Sequence, residues 1–397
     1  MVQVKDLTDL TLKDLWKEVK TEEDWWGDIN ERTLNMVKLI LESSLEEELL
    51  SQIQASRYQR NEIRRGYRNG HYEKNLYTRF GVMKAVRIPR ARESYGSKIL
   101  PRYQRRQDEV NRLMRDMFLA GVSTRRVGEV LATVNGEKVS AQTVSRITKS
   151  LDREVYLFQN RPLNDLYQYL FFDGISLKVK GAGRVHKRQV LCAYGITLFG
   201  KREIIGFRQG ADESEAKWEA FLHDLYLRGL KGKNCKLIIT DGCPGLHKAL
   251  DTVYPYIPRQ RCWVHKLRNV ANKLRVKDRQ DCLAGARLIY LAEHRKEAIK
   301  AYKNWESKWK PVYPKAVNCL GRDLDDMLNF LDRPAAHRAK VLTTNAIERA
   351  FREVRRRTRP MSCFTNSWSV NRIIYGIINH LNQAWKDKPL SQFTQTT

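Results

Sequence analysis

The chain has 397 residues, 42% of them hydrophobic, and its 73 Lys and Arg outnumber its 45 Asp and Glu, for a formal net charge of +28. This composition excludes a disordered chain, and the length allows about two to four folded domains. Such a surplus of positive charge indicates a polyanionic partner, most often nucleic acid.

The first twenty residues lack the apolar segment of a signal peptide, and no run of ~18 apolar residues occurs that would cross a membrane. The seven cysteines are odd in number and scattered, which favours reduced thiols. We therefore expect a cytoplasmic protein without a membrane partner.

The first fifty residues are acidic, with thirteen Asp and Glu against six Lys and Arg. Within them the stretch LNMVKLILESSLEEELL, residues 34–50, repeats apolar residues at helical spacing. We expect an amphipathic helix that packs on another part of the chain or on a second subunit.

Residues 57–106 reverse this charge, with fifteen Lys and Arg against three Asp and Glu. The dipeptides NG at 69–70 and FG at 80–81 are turn signals, and VMKAVRIP alternates as a strand does. This combination predicts a small β-rich module that contacts DNA, with Arg65 and Arg68 as candidate contacts. The alternative is a basic loop that is merely solvated.

Residues 107–150 predict three short helices, in DEVNRLMRDMFLAG, STRRVGEVLATV and SAQTVSRITKSL. Ser123 and Ser140 are the expected N-caps, and Gly121 and Gly136 are expected to end the preceding helices. The pattern is typical of a helix-turn-helix whose last helix lies in a major groove. Its candidate DNA contacts are Gln142, Thr143 and Arg146. Short three-helix patterns also occur in domains that bind no DNA.

The segment 165–211 predicts three strands joined by hairpins, in DLYQYLFFDGISLKVK, RQVLCAYGITLFG and KREIIGFRQG. Turns are expected at 181–183 and at Gly200. An amphipathic helix, ESEAKWEAFLHDLYLRGL, and a short buried strand, KLIITDG, follow. This order of elements predicts a mixed sheet in an α/β domain.

Two aspartates stand where these strands are expected to be buried. Asp173 follows the apolar run YLFF, and Asp241 follows LIIT. Charged side chains are rarely buried unless they are paired or bind a metal, and two adjacent strand-borne aspartates can hold Mg²⁺. A third carboxylate on a nearby helix would complete a two-metal site for phosphodiester displacement. The alternative for each Asp-Gly pair is a turn at the end of a strand.

The stretch RCWVH places Cys262 and His265 at C-x-x-H spacing. A zinc site needs two more ligands, and no second clean pair stands nearby, which disfavours zinc. Trp263 is either a core residue or an aromatic ring that stacks on a displaced base.

Four motifs occur in the order and approximate spacing of a known family: YLFFDGISLKVK, LIITDGCPGLHKAL, RQRCWVHKLRNVANKL and TTNAIERAFREVRRRTR. They resemble the bacterial insertion-sequence transposases related to the plant Mutator element. The upstream stretches YRNGHYEKNLYTRFGVMKAVRIPRAR and LAGVSTRRVGEVL resemble that family too, so the resemblance spans roughly residues 55–365. It implies a ribonuclease-H-like catalytic domain with a helical insertion before the helix that carries the last acidic residue.

Carried over motif by motif, the resemblance implies a DDE triad of Asp173, Asp241 and Glu348 that binds Mg²⁺ or Mn²⁺. It implies that His265 lies beside this site, where it touches the scissile phosphate or supports the metals, with Cys262 packed beneath it. The implied chemistry is hydrolysis of a phosphodiester at each element end, followed by attack of the freed 3′-hydroxyl on target DNA.

Six arginines lie between Arg349 and Arg359, directly after Glu348. Four of them follow Glu348 at spacings that keep them on one side of a helix: Arg352, Arg355, Arg356 and Arg359. They would hold DNA phosphates beside the cut. The alternative is a single Glu348–Arg352 ion pair on a solvated helix, worth about 0.3–0.5 kcal/mol.

The predicted organisation has six parts: an acidic helical segment (1–55), a basic β-rich DNA-binding module (56–106), a helix-turn-helix-like domain (107–150), the first part of the catalytic core (151–265), a helical insertion (266–335) and the last part of the core with the Glu-bearing helix (336–397). We expect duplex DNA as partner, at its terminal inverted repeats and at the target, and at least a homodimer on DNA. The protein would be associated with the nucleoid when bound to DNA. A related nuclease or resolvase and a non-catalytic, transposase-derived DNA-binding protein remain as alternatives.

Overall fold

The chain forms two compact units in a computed structural model, which describes residues 25–56, 58–92, 95–135, 138–181, 183–359, 363–364 and 366–394. The N-terminal unit comprises the residues up to Phe118 together with Ser123–Ile147, and the C-terminal unit comprises Leu119–Val122 and Thr148–Thr397. Of the predicted acidic segment, residues 1–24 lie outside the described residues. Among the helices within these ranges, none has the length and apolar content to cross a membrane.

A long helix and a β-hairpin begin the N-terminal unit. Helix α1 (Trp25–Ile53) packs on strand β2 (Gly81–Ala91), which pairs antiparallel with β1 (Arg68–Thr78). Their apolar side chains form one buried cluster: Leu45, Leu76, Met83, Val86, Ile88 and Leu100. The predicted helix, its packing on the chain and the strand VMKAVRIP are confirmed.

The two turn predictions in this hairpin differ in outcome. The hairpin turn consists of Arg79 and Phe80, one residue before the predicted pair at 80–81, and it is closed where Thr78 pairs with Gly81 and Thr78 Oγ1 donates to Gly81 O at 2.8 Å. The prediction of a turn at 69–70 is wrong, because this dipeptide lies inside β1. The register of β1 against β2 shifts there, and Gly70 has a φ of +67°, so the glycine accommodates an irregularity in the strand.

Three short helices follow as predicted: α2 (Asp108–Leu119), α3 (Thr124–Asn135) and α4 (Ala141–Thr148). Ser123 Oγ accepts a hydrogen bond from Arg126 N at 3.3 Å, and Ser140 Oγ accepts one from Thr143 N at 3.2 Å, so both serines cap as expected. Gly121 follows α2 with a φ of +97°, whereas Gly136 lies outside the described residues.

The C-terminal unit contains a five-stranded mixed sheet of β3 (Tyr167–Gly181), β4 (Arg184–Thr197), β5 (Arg202–Gly210), β6 (Leu237–Thr240) and β7 (Arg259–Arg261). The strand order is β5-β4-β3-β6-β7. The first two pairings are antiparallel, and the pairings of β3 with β6 and of β6 with β7 are parallel. The predicted α/β class with a mixed sheet is confirmed.

Twelve helices of this unit lie in the described ranges: α5 (Leu151–Asn160), α6 (Glu215–Leu227), α7 (Pro244–Val253), α8 (Trp263–Ala271), α9 (Arg279–Leu291), α10 (Arg295–Trp309), α11 (Pro314–Gly321), α12 (Leu324–Leu328), α13 (Ala335–Val341), α14 (Asn345–Thr358), α15 (Ser367–Trp385) and α16 (Ser391–Thr394). Helices α6 and α7 bury Trp218, Leu222 and Leu246 in one core with the sheet residues Leu170 and Ile238. The stretch 266–335 is helical, as predicted.

Helix α15 packs on this unit through polar side chains. Arg372 makes a two-pronged ion pair with Asp152 of α5, both bonds at 2.7 Å. The Asn382 side chain accepts from Ile204 N at 2.9 Å and donates to Ile204 O at 3.1 Å, so it occupies the free edge of β5. Helix α15 therefore protects the sheet edge farthest from β7.

Candidate active site

Asp173 and Asp241 lie side by side on two parallel strands. Phe172 of β3 pairs with Thr240, the last residue of β6, and each aspartate is the next residue along its chain. Strand β3 continues past Asp173 in its pairing with β4, whereas β6 stops. The two carboxylates therefore meet where the sheet loses a strand.

The environment of Asp173 is unfavourable for a carboxylate. Asp173 is only 7% exposed to solvent. Burial, reinforced by the negative charge of Asp241, raises the pKa of Asp173 to about 7. Gly174 N donates to Asp173 Oδ1 at 2.8 Å, and Cys243 N donates to Asp241 Oδ1 at 3.0 Å. In the described part of the chain, no Lys or Arg forms an ion pair with either aspartate.

Glu348 lies in the first turn of α14 and is held by the N-cap residue Thr344. Thr344 Oγ1 donates to Glu348 Oε1 at 3.2 Å, and His265 Nδ1 lies 3.7 Å from the same oxygen. Thr344 is fully buried. Sequence reasoning did not single it out, although its position four residues before a candidate acidic residue on a helix was a usable signal.

Cys262 and His265 form a hydrogen-bonded pair beside these groups. Cys262 Sγ also accepts a hydrogen bond from Thr344 N at 3.3 Å. The hydrogen bond with Cys262, together with the charges of Cys262, Asp173 and Glu348, raises the pKa of His265 to about 9. Burial raises the pKa of the Cys262 thiol, but hydrogen bonds with His265 and Thr344 leave it below its ordinary value. These interactions favour the protonated form of His265 at neutral pH.

The four residues expected at the catalytic site thus lie together. The charges of Asp241, His265 and Glu348 all act on the titration of Asp173. The arrangement is a group of carboxylates with one adjoining imidazole, at the point where β6 ends beside β3. Such a group can bind divalent cations through oxygen atoms and a phosphate through the imidazolium.

The ligand atoms of Cys262, His265 and Glu348 lie within 4.8 Å of one another and form the one such group found in the described ranges. The oxygens of Asp173, Asp241 and Glu348 are therefore spread more widely than the ligands of a single ion. A structural zinc site needs four protein ligands, whereas this group offers three. The Cys262 sulfur is also engaged by Thr344 N, which favours a positioning role for the C-x-x-H pair.

Trp263 is a core residue, which decides between its two predicted roles. Its side chain is 1% exposed, and its Nε1 donates to Met327 O at 2.8 Å. The indole anchors the start of α8 to the helical stretch that follows the sheet. Its burial contradicts the alternative of stacking on a displaced base.

A further carboxylate lies next to the aspartates. Glu213, in the loop between β5 and α6, is partly buried, and burial together with the charge of Asp241 raises its pKa. Sequence reasoning did not single out Glu213, because a Glu in a polar loop carries no pattern of its own.

The arginines that follow Glu348 are largely solvent-exposed: Arg352, Arg355, Arg356 and Arg359. We call these four residues the arginine face. The alternative of a Glu348–Arg352 ion pair is contradicted, because Glu348 contacts Thr344 and His265 instead. Within the described residues Arg356 pairs with Glu353, which also pairs with the less exposed Arg357.

The candidate DNA contacts of the N-terminal unit differ in how free they are. Arg65, Gln142 and Arg146 are exposed, and Thr143 is half-buried, with its hydroxyl hydrogen-bonded to Ser140. Arg68 is only partly exposed and pairs with Glu46 at 2.6 Å. A phosphate would have to compete with Glu46 for Arg68, so Arg65 is the better placed of the two.

Comparisons with known proteins match nearly the whole chain. The family model described as "Transposase, Mutator family" matches residues 11–388. The chain is similar to the transposase for insertion sequence element ISRM5 of Rhizobium meliloti, at 33% identity over 89% of this chain and 88% of the relative. It is also similar to that of IS406 of Burkholderia multivorans, at 37% identity over 83% and 84% of the two chains. A third relative is the transposase of IS256 in transposon Tn4001 of Staphylococcus aureus, at 33% identity over 88% and 90%.

Proposed function

Because the chain belongs to the Mutator family of transposases, we propose that it is the DNA transposase of an insertion sequence with a DDE triad. It hydrolyses a phosphodiester at each element end and joins the freed 3′-hydroxyl to target DNA. The observation that carries this proposal is that Asp173, Asp241, Glu348 and His265, whose pKa is raised, lie together where β6 ends beside β3. The strand order, with its two parallel pairings, supports a ribonuclease-H-like core.

The carboxylates of this site fit a pair of divalent cations. Asp173 is buried, and neither it nor Asp241 pairs with a Lys or Arg of the described chain, so a cation would compensate their charge. Carboxylate oxygens are the ligands that Mg²⁺ and Mn²⁺ prefer, and Asp173, Asp241 and Glu348 would supply them. When bound, such ions activate an attacking oxygen and stabilise the leaving oxygen.

The other groups of the site would hold the DNA in place. The His265 imidazolium would donate a charge-assisted hydrogen bond to a phosphate oxygen beside the carboxylates. Thr344 keeps Glu348 in a fixed position through its hydroxyl, and its backbone N–H fixes the Cys262 sulfur that orients His265. The arginine face, which begins one turn after Glu348, would bind the flanking phosphates.

The N-terminal unit would recognise the terminal inverted repeats. The segment between α1 and β1 supplies Arg65, and α4 presents Gln142 and Arg146 on its exposed side, as a recognition helix does. Since two element ends must be brought together, at least a homodimer would act on the bound DNA.

The test is incubation of the full-length protein with Mg²⁺ and DNA that carries the flanking terminal repeats, with the cut ends mapped. A transposase yields 3′ ends at the repeats and products in which those ends are joined to target DNA. Cleavage without joining would instead indicate a nuclease or resolvase. Specific binding without cleavage would indicate a non-catalytic DNA-binding protein.

A further inference from the structure

The Glu213 carboxylate lies directly over the backbone of Gly174, the residue that follows Asp173. A Cβ atom added at Gly174 would come within 2.3 Å of Glu213 Oε1, closer than any real side-chain contact. The absence of a side chain at Gly174 therefore makes room for this carboxylate. Gly174 is therefore needed because a larger residue would clash with the Glu213 carboxylate, whereas a turn at this position would not explain that requirement.

The backbone of Glu213 is held from the other side by the loop that follows Asp241. The Cys243 thiol donates to Glu213 O at 3.6 Å. A Cβ atom at Gly245 would lie 2.7 Å from the same carbonyl oxygen, so this residue too must be small. Glu213 is thereby fixed between the two segments that carry Asp173 and Asp241.

The Glu213 carboxylate has no structural partner that would explain its place. Within the described residues, no hydrogen-bond donor or cation contacts it. The turn itself is closed by its neighbour, since Asp212 Oδ1 accepts from Ser214 N at 3.0 Å. A partly buried carboxylate without a partner, beside two more carboxylates, is unfavourable unless a cation joins them.

We propose that Glu213 is a fourth acidic residue of the catalytic site and binds one of the divalent cations through its carboxylate, because Gly174 and Gly245 seat it beside Asp173 and Asp241. This inference rests on the proposed function, since it assigns a further metal ligand to the same site. It makes Glu213 a catalytic residue, because its carboxylate touches the cofactor.

The first test is binding of Mn²⁺ to the full-length protein without DNA, followed through the electron paramagnetic resonance signal of free Mn²⁺. Glu213→Gln keeps the size of the side chain and should weaken Mn²⁺ binding by about 10-fold or more. The matched control is Glu215→Gln, since Glu215 is two residues away, exposed and paired with Lys248. Equal Mn²⁺ affinity of Glu213→Gln and wild type would overturn the proposal.

Cleavage gives a second readout that a merely structural role would not produce. In Glu213→Gln the Mg²⁺ concentration for half-maximal cleavage should rise by about the same factor, and excess Mg²⁺ should restore much of the rate. A rate loss that is independent of Mg²⁺ concentration would contradict a role in cation binding.

Gly174→Ala tests the position of the carboxylate without removing its charge. The φ of Gly174 is outside the positive range and the clash is with the end of a flexible side chain, so the variant should fold and displace only the Glu213 carboxylate. Mn²⁺ binding should weaken as in Glu213→Gln. In a Glu213→Ala background, Gly174→Ala should weaken it no further, because the displaced group is already absent. Additive losses would mean that Gly174 acts independently of Glu213.

The outcome separates this inference from the proposed function. If wild type cleaves DNA and Asp173→Asn does not, while Glu213→Gln behaves as wild type, only the role of Glu213 fails. If wild type neither binds Mn²⁺ nor cleaves the repeats, the proposed function itself fails.

Discussion

Helix α14 carries residues of two charged regions that differ in their exposure to solvent: the acidic site around Glu348 and the arginine face. On one side, Glu348 accepts a hydrogen bond from Thr344 and lies near Asp173, a buried carboxylate whose pKa is raised by burial and by the charge of Asp241. The other region is the arginine face, whose four side chains are exposed to solvent. The acidic site depends on the position of each atom, whereas the arginine face depends mainly on the sum of its charges.

The difference follows from solvation. A buried charge costs several kcal/mol unless groups in fixed positions compensate it, so the acidic site depends on the positions of the groups around each carboxylate. An exposed charge is screened by water and salt, and one such charge contributes about 1 kcal/mol or less. Conservative single substitutions should therefore have large effects in the acidic site and small effects on the arginine face.

The largest effect is expected from the triad. Asp173→Asn, Asp241→Asn and Glu348→Gln each keep the shape but remove a negative cation ligand. Each should lower strand cleavage at least about 10²–10³-fold, the loss typical when one preorganised electrostatic group is removed, while DNA binding persists. Cleavage of labelled repeat ends and a parallel binding assay would measure this, with Glu215→Gln as the control. Near-normal cleavage by any one of the three would remove that residue from the site.

Chelation should have an effect of similar size. Cleavage should stop in EDTA and return when either Mg²⁺ or Mn²⁺ is added in excess, since both ions prefer oxygen ligands. DNA binding should survive chelation because it depends on basic side chains. Cleavage that persisted after thorough chelation would contradict a metal-dependent mechanism.

His265 should give the next largest effect and a diagnostic pH dependence. Its pKa of about 9 lies above the ordinary value of histidine, so its positive charge is present below that pH and is lost as pH rises through about 9. Wild-type cleavage should accordingly fall above pH ~9. His265→Gln should be about 10–100-fold slower at neutral pH and should lack that decline. An unchanged alkaline decline in His265→Gln would assign it to another group.

The positions of the acidic pair could be predicted because the signal is local. Apolar runs end at Asp173 and Asp241, and a charge that directly follows a buried apolar run is visible in sequence alone. The neighbours that complete the site are products of the fold. Thr344 and Glu213 reach it through the packing of α14 and of a loop, which no spacing pattern encodes.

A missed strand and a wrong turn prediction also show that tertiary contacts can outweigh the local sequence. Strand β7 consists of Arg-Gln-Arg, which reads as a loop, and sequence reasoning missed it. The strand is formed by parallel pairing with β6, and its buried Gln260 donates to Met327 O at 2.9 Å and accepts from Phe330 N at 2.8 Å. The dipeptide at 69–70 has strong turn propensity, but pairing along β1 outweighs it.

The buried carboxylate should also be visible in stability. The folded pKa of Asp173, about 7, lies above its ordinary value of 3.8, so the native state binds this proton more tightly than the unfolded chain. The resulting destabilisation is absent below pH ~4 and grows as pH rises towards 7. Asp173→Asn keeps an acceptor for Gly174 N and should stabilise the metal-free protein at alkaline pH by on the order of 2 kcal/mol.

Urea unfolding in EDTA at a pH below 5 and at a pH near 8 would measure this. The variant should gain stability over wild type at the higher pH, and the gain should shrink at the lower one. A gain of equal size at both would mean that it does not come from ionisation of the carboxyl.

The smallest effect per residue is expected on the arginine face. Replacing Arg355 and Arg359 together by Gln keeps helix propensity and chain length but removes two exposed charges. If both contact phosphates, the slope of log affinity against log salt should become shallower by up to ~2 units, because each contact releases about 0.9 condensed counterion on duplex DNA. Binding should weaken for all sequences alike, since phosphate contacts carry no sequence information. Cleavage should fall further than binding, because a displaced scissile phosphate misses the acidic site, where positions are fixed to within about an ångström.

A matched control is Lys310→Gln, an exposed cation at the end of α10 that pairs with Glu306. If the double variant matched this control in slope, affinity and rate, the arginine face would be a solvated helix surface, and the contrast with the acidic site would be one of burial alone.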